Sequence, residues 1–381
     1  MKVVVAKIEF ISLISKIQNI VSSKPAIPAL ANVLIEAVNG EIILSATDLT
    51  TSMRSSTAAT VIEEGAIALP ARKFFQLVKE LTAPQIKITT LSNDSAEITS
   101  GSSVFKIHGM NKPEYPSLPA ISTGTQVSMP SSILKELLSK TSFSIAKEDN
   151  RYVLTGLLLQ IAEKKATFIS TDGKRLAKAY ANIDIDPSFQ SSYILPLKAV
   201  EELIKILDDS QNMSCLYLMH DKICLEYGNI LLMTKLLAGQ YPDVDKVIPE
   251  STPIQITLHR EELLSLLRQV SLFTTELSGS AHFTFEEGQL GLSATKYDVG
   301  EGSVSMPVNY SGPKLEIAFN PFYLHDILRH SKDETVLLSL NNPFLPGVLT
   351  DSSTALYVIM PMRLKDIPQK EVHEAEKPAF A

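Results

Sequence analysis

The 381-residue chain contains no tryptophan and only two cysteines, Cys215 and Cys224. Two cysteines cannot supply the disulfide framework of a small secreted domain, and their spacing fits no common metal pattern. No apolar run approaches the roughly 18 residues that a membrane-spanning helix needs. The start, MKVVVAKIEFISLIS, is interrupted by Lys7 and Glu9, and no small-residue cleavage site follows, so a cytoplasmic location is expected. A phosphate-cradling G-x-x-x-x-G-K-[ST] loop, a G-x-G-x-x-G turn after a strand, an H-E-x-x-H pair and a G-x-S-x-G elbow are all missing. The seven histidines are scattered. These absences point away from the common nucleotide, metal and serine-nucleophile chemistries, and the chain is expected to use no cofactor and no metal. The net charge of −7 argues against a protein whose whole surface grips nucleic acid, yet allows a locally basic face.

What is present is a chain that repeats itself. At this length two or three domains are expected, and three 18-residue stretches align without a gap: VLIEAVNGEIILSATDLT (33–50), LLLQIAEKKATFISTDGK (157–174) and AHFTFEEGQLGLSATKYD (281–298), each 124 residues after the last. Each reads as two strands about a turn, with Asn39-Gly40 the strongest hairpin signal. Each then reaches a threonine, Thr47, Thr171 or Thr295, followed by Asp48, Asp172 or Lys296. Helical periodicity recurs in LPARKFFQLVKEL (69–81), LPLKAVEELIKIL (195–207) and FNPFYLHDILRHS (319–331), where Pro70, Pro196 and Pro321 are read as helix starts. A second set spans 6–21, 129–147 and 258–273, with apolar residues three and four apart. Six helices separated by strand-rich sequence predict three α+β domains, each internally doubled. The Pro-containing segments 109–122 and 238–252, each with a Tyr-Pro pair, read as interdomain linkers.

Within the second repeat, STDGKRLA (170–177) is a Gly-containing turn carrying one acid and two bases. Asp-Gly is ordinary turn chemistry, and Lys174 and Arg175 are equally readable as solvated charges, so by itself the stretch decides nothing. Charge distribution adds a second observation. The six helical segments together carry +4, which leaves −11 on the remaining chain. Helices facing a polyanion would produce that segregation, and so would Lys and Arg used as helix formers on solvated faces.

Seven stretches in order, KPAIPAL (24–30), ATDL (46–49), LPARKFF (69–75), RYVLTGLLL (151–159), STDGKRLA (170–177), YPDVDKVIP (241–249) and YVIMPMRL (357–364), resemble the beta-subunit (beta sliding clamp) family of bacterial DNA polymerase III. The resemblance covers residues 1–364. It implies an α+β DNA-clamp fold with three similar domains, 1–122, 123–249 and 250–364, each of two helices packed on β-sheets, closing into a ring as a head-to-tail homodimer. Beyond the resemblance, residues 365–381 are charged, contain two prolines and have little to bury, so a disordered C-terminal tail is expected. The resemblance also implies a non-catalytic processivity subunit that encircles double-stranded DNA without sequence preference. An ATP-driven clamp loader would place it, and it would tether the replicative DNA polymerase catalytic subunit, other polymerases and repair proteins carrying clamp-binding motifs, with no membrane role.

Carried over residue by residue, the resemblance implies a hydrophobic motif-binding pocket formed by Leu154, Thr171, Gly173, Lys174, Arg175, Leu176, Pro242, Val247, Asn320, Tyr323, Val358, Met360, Pro361, Met362 and Arg363. Flexible methionines suit repacking around different partners, with Arg175 as a hydrogen-bonding rim; core filling in a terminal strand is the other reading of Met360 and Met362. DNA contacts would come from Lys24, Arg72, Glu148 and the Arg151-Tyr152-Val153 stretch. Glu148 stands where relatives can use a neutral amide, and an acid opposes phosphate there. Lys73, Lys147, Lys198 and Lys246 are equally readable as solvated surface residues. Phe105, Leu272 and Phe273 would anchor the dimer contact or, alternatively, pack in the core. A monomeric peptide-binding scaffold that keeps the repeats but never encircles DNA is the competing function. An enzyme built on Asp172 and Lys174 finds no second acid, nucleophile or metal cluster converging with them.

Overall fold

The computed structural model describes residues 1–22, 25, 27–118, 124–274 and 279–362. Two compact units are present: Met1–Asp243 together with Ser353–Leu356, and Val244–Ser352 together with the chain from Tyr357 onward. The first unit contains the first two sequence repeats, and the second contains the third.

The first repeat comprises β1 (Lys2–Ala6), α1 (Lys7–Ile17), β2 (Asn32–Val38), β3 (Glu41–Thr47), β4 (Thr51–Ala58), β5 (Thr60–Glu63), β6 (Gly65–Pro70), α2 (Ala71–Glu80), β7 (Gln85–Leu91), β8 (Ser95–Ser100) and β9 (Ser103–His108). The second comprises β10 (Thr125–Pro130), α3 (Ser131–Ser142), β11 (Gly156–Ala162), β12 (Lys165–Thr171), β13 (Arg175–Asn182), β14 (Ser191–Pro196), α4 (Leu197–Ile206), β15 (Met213–Leu218), β16 (Lys222–Tyr227) and β17 (Ile230–Lys235). Strands β5-β1-β7-β8-β9 form one antiparallel sheet, and β10-β15-β16-β17-β4-β3-β2-β6 form another that runs without a break from one repeat into the next. The seam is β17 against β4, paired from Ile230↔Ser55 to Thr234↔Thr51. Strands β14-β11-β12-β13 complete the second repeat.

The second unit repeats the plan with β18 (Ile254–His259), α5 (Arg260–Ser271), β19 (Ala281–Glu286), β20 (Gln289–Lys296), β21 (Gly300–Pro307), β22 (Leu315–Phe319), α6 (Pro321–His330), β23 (Thr335–Leu340), β24 (Gly347–Thr350) and β25 (Ala355–Ile359). Its sheets are β21-β20-β19-β22 and a set in which β18 pairs β23 and β23 pairs β24.

Local chemistry explains these elements. The β2–β3 hairpin turns at Asn39 and Gly40, both at positive φ, as the Asn-Gly signal predicts. Its counterpart in the second repeat uses Glu163 and Lys164 at φ 51° and 58°, so ordinary residues accept the left-handed region there. Helix α2 buries Ala71, Phe74 and Val78, spaced three and four apart, and Phe74 meets Phe10 of α1 edge-on at 5.7 Å. The two helices of each repeat are also clipped together. The first residue of one caps the end of the other: the Lys7 ammonium donates to the Leu81 carbonyl, the Ser131 hydroxyl to the Asp208 carbonyl at 3.0 Å, and the Arg260 guanidinium to the Asp333 carbonyl at 2.7 Å.

Three sequence expectations need adjustment. Pro70 and Pro196 end strands β6 and β14 and stand just outside their helices, while Pro321 is the first residue of α6. The 129–147 pattern is helical only to Ser142, because Ser144, Ile145 and Ala146 turn inward and bury themselves. The Tyr-Pro segments are anchored: Tyr115 packs with Leu34 and Ala68 and donates to the Asn32 carbonyl at 3.2 Å, while Tyr241 is equally buried. Domain limits at 122, 249 and 364 stay readings from the repeat. Truncating Phe74 to alanine should cost about 3–5 kcal/mol, measurable as earlier urea unfolding of the first unit by circular dichroism.

Candidate functional site

The STDGKRLA segment joins β12 to β13 through a turn held largely by its own side chains. The Thr171 hydroxyl donates to the Arg175 carbonyl at 2.6 Å and accepts from the Gly173 amide at 3.0 Å. Asp172 Oδ1 accepts from the Lys174 and Arg175 amides at 2.9 and 3.0 Å. Gly173 takes φ +82°, which explains the glycine. From the buried Tyr-Pro segment, the Tyr241 hydroxyl accepts the Thr171 amide at 3.2 Å. Burial pushes the Tyr241 phenol well above its ordinary value.

The first repeat builds the same turn. Thr47 donates to the Thr51 carbonyl at 3.2 Å and accepts from the Leu49 amide at 3.0 Å, and Asp48 accepts from the Thr50 and Thr51 amides. Burial pushes the Tyr115 phenol up to about 12, with the Thr47 amide against its oxygen. The copies differ in what holds the acid. Asp48 is bound by Lys198 of α4, which also donates to the Ile20 carbonyl at 3.0 Å. Burial raises the Asp48 pKa, but Lys198 and the two amides outweigh it and hold the carboxyl below its ordinary value. Asp172 is instead paired with Arg175 in the same turn, Nε to Oδ2 at 3.1 Å. The third repeat has Lys296 at this position and cannot form the acid-centred turn.

That pairing redefines Arg175. Its side chain is 11% exposed, its Nη2 donates to the Phe143 carbonyl at 2.8 Å, and its guanidinium lies 5.4 Å from the Phe143 ring centre. It braces the turn from inside, where sequence reading expected a hydrogen-bonding rim. Leu154 and Leu176 are buried beneath the turn, whereas Gly173, Lys174 and Pro242 are exposed.

In the second unit, Asn320 is buried and caps α6, its side-chain oxygen accepting the Phe322 amide at 2.9 Å. Tyr323 is half-buried in the first turn of that helix. Val358 is buried, Met360 is 41% exposed, and Pro361 and Met362 are half-buried, with the Met362 amide bonded to the Ala318 carbonyl at 2.8 Å. Exposure of Met360 favours contact over core filling. Val247 is also exposed. Arg363 lies outside the described residues. Sequence reading missed Phe344, 85% exposed, and its exposed neighbour Leu345. Asn342 fixes both by accepting their amides at 2.8 and 3.1 Å. The available signal was two apolar residues between prolines in N-P-F-L-P.

Among the expected DNA contacts, Lys24 lies outside the described residues. Arg72 is exposed in a cleft of about 700 Å³ between α1 and α2, with Gln18, Asn19, Gln76 and Lys79. Glu148 is exposed. Arg151 is engaged by Asp149 through Nε and Nη2, both at 3.0 Å. Those bonds hold the Asp149 carboxyl down at about 2. The Tyr152 hydroxyl donates to the Ala238 carbonyl, and Val153 packs so closely on Gly239 that a Cβ there would lie 2.8 Å from it. Lys198 is committed to Asp48.

Two sheet edges complete the candidate surfaces. Strand β9 is an edge on which Val104, Phe105 and Lys106 are exposed, and β21 is an edge carrying Glu301. Phe105 is 41% exposed and Leu272, just after α5, is 72% exposed, which makes both available to a partner. Phe273 is different: it covers β21, where a Cβ on Gly302 would lie 2.7 Å from its ring. It packs within its own unit. No cluster of metal-ligating residues and no helix long and apolar enough to cross a membrane occur among the described residues.

Sequence profiles for the DNA polymerase III beta subunit match in order: the N-terminal domain at residues 1–119, the central domain at 128–243 and the C-terminal domain at 245–363. Among curated proteins, the chain is 51% identical to the beta sliding clamp of Chlamydia pneumoniae over 366 residues, covering 96% of this chain and all of that one. It is 28% identical to the beta sliding clamp of Escherichia coli K12, over 96% of this chain and all of that protein. Among solved structures, a DNA polymerase sliding clamp from Bacillus subtilis superposes with a TM-score of 0.91 at 25% identity, covering 96% of this chain and all of that chain. A sliding clamp from Bartonella birtlesii bound to griselimycin does so with a TM-score of 0.90 at 29% identity and the same coverage.

Two measurements test the turn. Replacing Gly173 with alanine should cost about 1–2 kcal/mol for the left-handed backbone alone, read from urea unfolding. The Asp149 carboxyl has a folded pKa below its unfolded one, so the stability from its bond to Arg151 is complete above the ordinary carboxylate value of 3.8 and is lost as pH falls through about 2. An NMR titration of Asp149 should show that midpoint, and Arg151→Ala should return it toward 3.8.

Proposed function

The chain belongs to the DNA polymerase III beta subunit family, and from that premise we propose that it acts as a sliding clamp: a non-catalytic processivity factor in the cytoplasm that encircles duplex DNA and tethers the replicative polymerase. The carrying observation is full-length agreement with sliding clamps in both sequence and fold, at 51% identity to one relative and a TM-score of 0.91 to one structure.

The geometry supports a ring of two chains. Edge strands β9 and β21 each offer unpaired backbone, with Lys106 on one and Glu301 on the other. Pairing β9 of one copy with β21 of a second would satisfy both edges and bury Phe105 and Leu272, and repeating the contact by twofold symmetry would close the assembly. Duplex DNA would then be held by topology, with Arg72 and its neighbours giving weak sequence-independent phosphate contacts. Partners, including the polymerase, the clamp loader and repair proteins, would dock short apolar motifs on the exposed side chains Met360, Val247, Phe344 and Leu345 of the second unit. Exposed apolar groups with a flexible methionine among them suit such varied ligands. The monomeric scaffold remains the competing reading, and β9 and β21 disfavour it.

Loaded onto nicked circular DNA, the protein should resist release at a few hundred millimolar salt, yet leave linear DNA by its ends. A phosphate-held binder would lose affinity by orders of magnitude from both forms. Equal loss from circles and linear DNA would exclude encirclement. Phe105→Asp and Leu272→Asp should each move the chain toward monomer in size-exclusion chromatography with light scattering. Met360→Ala should weaken an apolar motif peptide by about 1–3 kcal/mol while leaving the dimer intact.

A further inference from the structure

Past Met362 the sequence runs on as RLKDIPQKEVHEAEKPAFA (363–381), whereas the C-terminal domain profile matches only as far as residue 363. The second unit fixes where this segment departs. The Met362 amide donates to the Ala318 carbonyl at 2.8 Å, which pins the chain two residues after the exposed Met360. Other parts of the same unit bring apolar side chains to this end of the sheet. Phe344 and Leu345 are exposed in the loop leading into β24, with their amides held by Asn342. Gly347 opens β24 and lies against the end of β25: a Cβ on it would stand 3.5 Å from Ile359, the residue before Met360. Asn341 ties the same loop to the Ser251 carbonyl at 3.1 Å, four residues after the exposed Val247. A phenylalanine 85% exposed, with a methionine at the same strand end, is apolar surface of the kind that acquires a cover.

Residues 365–381 carry three basic and four acidic side chains, so charge gives them no strong attraction to any surface. Their larger apolar side chains are Ile367, Val372 and a single aromatic, Phe380. Phe380 stands 18 residues beyond Met362. A coil of that length averages about 20–25 Å end to end, so the tether supplies an effective concentration on the order of millimolar. A contact too weak to detect between separate molecules is then well populated within one, because occupancy follows the ratio of that concentration to the dissociation constant. A competing ligand loses affinity by the fraction of sites left open.

We propose that the segment after Met362 folds back over its own unit and seats Phe380 on Phe344, Leu345 and Met360, where it competes in cis with partner motifs. This rests on the motif-site reading above and adds regulation to it: a partner binds only by displacing the tethered phenylalanine, so weak motifs are excluded and strong ones admitted. The contact is apolar, and salt should leave it in place.

The test compares the full-length protein, Phe380→Ala and a chain stopped after Leu364, which keeps every described residue, with a fluorescent hexapeptide carrying leucine and phenylalanine anchors as the probe. The stopped chain should bind the peptide about three- to tenfold more tightly than the full-length protein, as expected when a tethered competitor is removed. Phe380→Ala should recover most of that gain, in low and in moderate salt alike. A second measurement reads the contact without peptide. With isotope-labelled methionine methyl groups, the Met360 NMR signal, assigned through Met360→Leu, should differ between the full-length and stopped chains, and the difference should persist on dilution. Equal peptide affinities in all three chains would overturn the proposal and leave the motif-site reading standing. A gain in the stopped chain that Phe380→Ala fails to reproduce would overturn the assignment to Phe380. A Met360 difference that vanishes on dilution would seat the segment on a second copy and overturn the contact in cis. If the stopped chain binds no peptide, the motif-site reading falls and the competition with it, while the Met360 comparison still separates a docked segment from a free one.

Discussion

Antiparallel pairing of β17 with β4 is the constraint on which the first unit rests. Five residue pairs there carry the backbone ladder of one repeat into the next, and the Thr51 and Thr234 hydroxyls meet at 3.3 Å inside the seam. Each strand buries its polar backbone only by having a neighbour, so the two repeats join into one eight-stranded sheet. The same logic explains the two ends. Among the described residues β9 and β21 each have one open edge, and Phe105 and Leu272 are exposed apolar side chains that a partner would bury in the proposed ring. The proposed ring would be sheet pairing carried to closure.

The Thr-Asp turn shows how repetition can be structural and functional at once. Thr47-Asp48 and Thr171-Asp172 use the same hydrogen bonds to the backbone and receive the same buried tyrosine. That shared chemistry is a folding device. The difference lies in the neighbours: Lys198 reaches from α4 to occupy Asp48, while Asp172 is satisfied locally and its glycine is left for Arg151 to cover. Duplication gave two equivalent turns, and the residues around them decide which surface stays open.

Much of this was legible in the sequence because it depends on local patterns. The 124-residue repeat, the Asn39-Gly40 hairpin and the apolar spacing of Phe74 and Val78 are local, and they placed all six helices and the three hairpins. Boundaries blurred where tertiary burial overrode periodicity, as at Ser144 to Ala146, which continue a helical pattern but turn into the core. The site was less legible because exposure and pairing are not local properties. No pattern distinguishes Arg175, folded inward onto Phe143, from Arg151, turned over Gly173, and both are simply arginines near an aspartate. The packing of Phe273 was illegible for the same reason, since Gly300 and Gly302, against which it lies, are some thirty residues away. Phe344 and Leu345 look like loop filler until Asn342 is seen holding them outward.

Electrostatics on the DNA side favours weak contact. Of the basic residues that sequence reading assigned to DNA, Arg151 is held by Asp149; Lys198, equally readable as a surface residue, is held by Asp48, and Glu148 adds an exposed acid. Arg72 is exposed on α2, in a cleft lined also by the amides of Gln18, Asn19 and Gln76 and by the opposite charges of Lys79 and Glu80. Such a surface releases few counterions, so its grip on phosphate is weak and nearly indifferent to position along the duplex. For a protein held by contact this would be a defect. For one held by closure it is an advantage, because each strong phosphate contact would add a barrier to every step along the helix. The acidic remainder of the chain acts in the same direction, repelling DNA that has not been threaded. In the proposed ring, retention would depend on the β9 and β21 edges, and mobility on weak contact with the duplex.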